Sequence, residues 1–122
     1  MKILIDNDHG ADTPGKRSPD GALLKYAWNR EIAARIVTAL TALGLDARLH
    51  LPGKYPRTDY TDGDPDLEAD FYILRHTSGP SALVENLFMD SKPDCRFLLS
   101  EEGKQAIVNL HVDGINFFLG IR

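Results

Sequence analysis

Cysteine is nearly missing. Cys95 is the sole cysteine in 122 residues, so no disulfide can close within the chain, which fits a reducing compartment. Long apolar runs are missing as well, since no stretch approaches the roughly 20 residues that a membrane span requires. The opening residues, MKILIDND, reach Asp6 after only Ile3, Leu4 and Ile5, too few for the hydrophobic region of a secretory signal. The expectation is a protein that is cytoplasmic as synthesised and has no membrane partner. Positive charge is also scarce. The 14 Lys and Arg against 18 Asp and Glu leave a net charge of −4, with no basic stripe, so nucleic acid is not an expected partner.

What is present suits a single globular domain over residues 1–122. A chain of this length buries about two-thirds of its unfolded surface, enough for a core without staples. Lys2 to Asp6 reads as a short buried strand, KILID. A polar loop with Gly10, Pro14, Gly15, Pro19 and Gly21 follows. Leu24, Trp28, Ile32, Ile36, Leu40 and Leu43 recur at helical spacing, which predicts a helix over Ala22 to Leu43 that Gly44 stops. Asp46 to Leu51 reads as a second strand. Pro52 to Asp70 has no period and is acidic. Its DYTDGDPDLE does not match the order of an EF-hand loop and reads as a solvated acidic loop.

Phe71 to His76 and Ala82 to Glu85 read as two further strands around the turn TSGPS. Ser91 or Asp90 is placed to cap a short helix with Pro93 at its start. Ser100 is placed to cap a last helix to about Leu119, with Glu101 and Glu102 favouring its N-terminus. Ile107, Leu110, Ile115 and Phe118 form its expected apolar face. Short strands mixed with amphipathic helices argue for an α/β layered fold, and ligands in such folds gather at the C-terminal ends of strands.

That rule singles out two residues. His9 stands in the loop after the first strand, where sites are commonly built. Glu85 follows the apolar run Ala82 to Val84, where a strand should be buried, and a buried carboxylate acquires the raised pKa of a general base; the plainer reading is a partly exposed residue at a strand end. His76, closing YILRH with Arg75 before it, is a further site candidate. His50 and His111 read as packing or surface residues.

Taken together, KILIDNDHG, the helix containing KYAWNREIA, and FYILRHTSGPSALVENLFMD resemble the zinc-dependent N-acetylmuramoyl-L-alanine amidases, in particular the Bacteroides-type group. The resemblance implies a mixed sheet flanked by helices. It implies a zinc ion held by a first-loop histidine, a helix glutamate and a second histidine, with a late glutamate as catalytic acid/base. The metal polarises the amide carbonyl and activates water, and the bond cut joins the lactyl group of muramic acid to L-alanine. The implied substrate is peptidoglycan or a muropeptide.

Carried over by position, His9 matches the first ligand and Glu85 the catalytic glutamate. The ligand glutamate of the helix is replaced by Lys25, with Asn29 at the family's asparagine position four residues on. Glu31 stands on a different helix face. The strand that carries the second histidine has no counterpart, as if a central stretch were deleted. Zinc is therefore expected to be absent or weakly bound, and hydrolysis impaired. The alternative is a non-catalytic relative that binds cell-wall fragments or serves as a scaffold. Three expectations follow. His9 and Glu85 lie near each other at one sheet edge. Lys25 supplies, beside Glu85, the positive charge of the lost metal. An edge uncovered by the deletion is buried in a homodimer.

Overall fold

The computed structural model describes residues 1–7, 15–50 and 78–121. By its internal contacts the chain divides into two units, Met1–Leu51 with Leu87–Arg122, and Pro52–Asn86.

The first unit begins with strand β1 (Lys2–Asp6), followed by helix α1 (Lys25–Ala42) and strand β2 (Asp46–His50). The two strands pair in parallel, with Ile3 opposite Ala47 and Asp6 opposite His50. Parallel neighbours need a crossover, and α1 provides it. Ile3, Ile5 and Ala47 pack toward α1, while Leu4 and Arg48 stand on an exposed face. A small α/β arrangement is therefore present. The antiparallel strand that would make the sheet mixed is not found among the described residues.

Helix α1 buries Trp28, Ile32, Ala33, Ile36 and Leu40, the stripe expected from its spacing. Leu24 and Leu43 are exposed, because the helix is shorter than its apolar pattern and both fall outside it. Gly44, at φ 83°, takes the left-handed turn that ends it. Helix α2 (Lys92–Leu99) starts at Ser91, whose hydroxyl accepts from the Asp94 amide, and Asp94 in turn accepts from the Phe88 amide at 3.1 Å. These bonds satisfy the Asp94 and Phe88 amides around the helix entrance.

Helix α3 (Glu101–Leu119) follows after Ser100 alone. That hydroxyl donates to the Phe97 carbonyl at 2.6 Å and accepts from the Gly103 amide at 2.9 Å. One side chain thus closes α2 and opens α3. The corner is so tight that a Cβ on Gly103 would collide with the Phe97 carbonyl. The far end of α3 closes with Gly120 at φ 68°. Gly120 and Ile121 donate to the carbonyls of Phe117 and Asn116, the pairing of a Schellman turn.

The core gathers Leu23, Trp28, Ile32, Ile36 and Leu40 with Ala47, Cys95, Leu98, Ile107 and Val108. The Trp28 indole nitrogen donates to the Leu98 carbonyl at 2.7 Å, tying α1 to the last turn of α2. The α3 face differs from the expected one. Ile107 and Val108 are its buried side chains, whereas Leu110 and Phe118 are exposed. On a 100° wheel, Leu110 lies well away from Val108 and Ile115, so the hydrophobic count of this helix exceeds what its core face can hold.

Of the second unit, residues 78–86 are described. Ala82 to Glu85 forms no strand and is exposed. The expected strand at 71–76, with which it would pair, lies outside the described residues. A run of three apolar residues after Ser-Gly-Pro-Ser cannot satisfy its backbone groups as a strand without a neighbour.

Candidate functional site

The C-terminal edge of the parallel pair is where this topology offers a site. Asp6 and His50 are opposite each other there, and Asn7, next in the chain, is buried. Asp6 and Asn7 are both engaged in polar contacts. His9 follows in the sequence but lies outside the described residues, as do Arg75, His76 and the acidic loop.

Lys25 is placed by the segment before it. Ser18, Pro19, Asp20 and Gly21 form a turn closed by the Gly21 amide donating to the Ser18 carbonyl at 2.9 Å. The buried Ser18 hydroxyl donates to Asp20 Oδ1 at 2.6 Å and accepts from the Leu23 amide at 2.9 Å. Asp20 also accepts from the Ala22 amide. The Ser18 hydroxyl and that amide hold the Asp20 carboxyl below its usual range. The Leu23 side chain is thereby driven into the core, and the Lys25 amide donates to the Lys16 carbonyl at 3.0 Å.

The result is a fixed launch for α1, with Lys25 as its first residue and Asn29 one turn on, both half-buried. The first turn of α1 contains no acidic residue. Where the amidase resemblance calls for a ligand carboxylate, an ammonium stands.

Glu85 is exposed, as in the plainer of its two readings, although no strand ends there. The run that should have covered it has no strand pairing and is itself in solvent. Neither Lys25 nor Glu85 is without an interaction partner. Among the described residues, no three His, Cys, Asp or Glu side chains converge as a metal site would need. His111 behaves as a packing residue, its Nδ1 2.8 Å from the Ile107 carbonyl.

A concavity lies between α1 and α3. It measures about 510 Å³ and is lined by Glu31, Ala34, Arg35, Thr38, Gln105 and Val108, among others. Its charged end is a closed network. Arg35 holds both oxygens of Glu101, at 2.9 and 3.0 Å. Lys104 holds Glu31 at 2.8 Å. The Lys104 hydrogen bond keeps the Glu31 carboxyl below its usual range, and the Arg35 hydrogen bond does the same for Glu101. These cations are spoken for, so the groove offers an apolar floor and little net charge to a ligand.

Sequence reasoning overlooked Ser18, Asn7 and Gly103. Ser18 was visible in principle, because Ser-Pro-Asp-Gly has the residue order of a tight turn. Asn7 and Gly103 carry no local signal, since their burial depends on neighbours distant in sequence.

Comparison with known proteins gives one partial likeness. The chain is 35% identical over 54 residues to an endolysin of Bacillus phage SPP1. The match covers 44% of this chain and 20% of that endolysin, so the chain spans about a fifth of the length of the curated relative it matches. No protein-family model matches the chain, and no solved structure does. No described helix is long and apolar enough to cross a membrane.

Proposed function

We propose that this chain is a peptidoglycan-directed domain of amidase type, with the lactyl–L-alanine amide as its target bond and an impaired hydrolytic centre. The likeness to a phage endolysin carries the cell-wall reading. The motifs around His9 and Glu85 narrow it to an amidase, in which β1 and β2 would begin a larger mixed sheet.

Lys25 carries the impairment. Its position at the mouth of α1 is defined by the Ser18 turn, and a charged ammonium has no lone pair to offer a metal and repels a dication. The donor set present therefore does not fit the zinc site that the resemblance implies, and no step through zinc is derived for it. Glu85 is the candidate acid/base, with His9, Asn29, Arg75 and His76 as candidate site residues. Binding of muropeptide without turnover is the second reading, favoured by the same lysine.

The experiment is co-sedimentation of the purified chain with insoluble peptidoglycan, followed by assay of newly released amino groups with and without added zinc. The expected result is retention in the pellet with little release. Failure to sediment would remove the cell-wall reading. Rapid zinc-stimulated release would remove the impairment and point to a ligand other than residue 25.

A further inference from the structure

Among the described residues, Leu87 is the one residue other than glycine with a positive φ, at 59°. The left-handed region is uncommon for any residue with a Cβ, and leucine has no polar side chain to form the local hydrogen bond that helps Asn or Asp there. Burial does not repay the strain, because Leu87 is 47% exposed.

Strain of this kind persists where the surroundings hold the chain on both sides of it. Downstream, the hold is visible. The Phe88 amide donates to Asp94 Oδ2 at 3.1 Å. The Ser91 amide donates to the Phe88 carbonyl at 3.2 Å, and the Cys95 thiol donates to the Met89 carbonyl. Residues 88–91 are thereby fixed to the first turn of α2. Upstream, residues 78–86 form no helix or strand, so no backbone ladder does the holding. Glu85, two residues before the corner, does have an interaction partner.

We propose that Leu87 is a positioning residue for Glu85, an inference that rests on the acid/base role proposed above for that carboxylate. Glu85 is the upstream anchor of the strained corner, and the corner sets the direction in which the chain runs from the α2 entrance to Glu85. Two residues of chain span about 7 Å. Returning Leu87 to an ordinary negative φ turns that lever by roughly 120° and carries Glu85 several ångström away. A misplacement of about 1 Å is already enough to degrade a site built for one geometry. The backbone of residue 87 does the positioning; its side chain takes no part.

The test compares Leu87→Asn, which takes the left-handed conformation readily, with Leu87→Val, whose branched Cβ opposes it. Both remove the leucine side chain, so a packing role would affect them alike. Two readouts are followed in the whole chain: the backbone amide resonance of Glu85 and the affinity for a soluble muropeptide. In Leu87→Asn both should stay close to those of the native chain. In Leu87→Val the resonance should move toward its unstructured value and the affinity should fall about tenfold or more. Asp94→Ala releases the Phe88 amide while keeping the leucine. It should move the Glu85 resonance in the same direction, and it reads the corner if Leu87→Val folds poorly. A Leu87→Val chain with native resonance and affinity overturns the proposal. So does an equal loss in both variants at residue 87, which would assign the effect to the leucine side chain. A native chain that binds no muropeptide removes the cell-wall reading instead, and the Glu85 resonance in the three variants still decides whether the corner places that residue.

Discussion

Two apolar triplets of the same length have different fates. Ile3-Leu4-Ile5 becomes the centre of β1, while Ala82-Leu83-Val84 takes no regular structure and stays in solvent. Ile-Leu-Ile is the stronger strand former, since alanine is depleted in strands, but the larger difference is a partner. The first triplet has β2 in register beside it and α1 above it. The second has no paired neighbour among the described residues. Strand propensity largely measures the fit of a side chain to its surroundings, and here the surroundings decide the outcome.

Changes in the helix packed on the paired triplet should be the most damaging. Leu40 is fully buried near the C-terminal end of α1, and Leu40→Ala should cost about 2–5 kcal/mol in urea unfolding. Next comes the α2–α3 corner. Gly103→Ala gains helix propensity yet meets the Phe97 carbonyl, so it should lose about 1–3 kcal/mol, as overpacking does; a more stable variant would show that the corner opens easily. Ser18→Ala removes the hydroxyl that organises the α1 launch and should cost about 1 kcal/mol.

At the other pole of the comparison, Leu83→Ala should change stability by less than about 0.5 kcal/mol, the range of exposed positions. A loss near that of Leu40→Ala would mean the second triplet is covered after all.

The Ser18 turn and the α1–α3 network add a pH signature between these poles. Asp20, Glu31 and Glu101 have carboxyls lowered from ordinary values of 3.8, 4.5 and 4.5. A lowered carboxylate contributes stability above its unfolded pKa and loses it as pH falls through the folded value. Thermal stability should therefore be flat near neutrality and decline below about pH 4.5. Arg35→Gln should flatten part of that decline by removing the main partner of Glu101.

Much of the fold was legible because its signals are local. The 3.6-residue period of α1, the serines that cap α2 and α3, and the glycine that stops α1 all act within a few residues. The α3 stripe was misread for the same reason in reverse. Ile107, Leu110, Ile115 and Phe118 are apolar, but periodicity cannot say which of two apolar faces meets the core. The late strand was misassigned because strand pairing is non-local. Of the candidate site, Lys25 and Asn29 were placed correctly on the helix. Glu85 is exposed, the plainer of its two readings, and the strand that the buried reading required is absent at 82–85.

Cys95 sits in α2 with its thiol donating to the Met89 carbonyl at 2.9 Å. Burial, joined by the negative charges of Asp20, Asp94 and Asp90, pushes that thiol up from its ordinary value, and the thiolate is the reactive form. The chain has no other cysteine. A thiol reagent therefore finds a single target, shut until α2 swings away from Trp28 and α1. Its labelling rate in native buffer becomes a clock for that opening, read from one sulfur atom with no engineered probe.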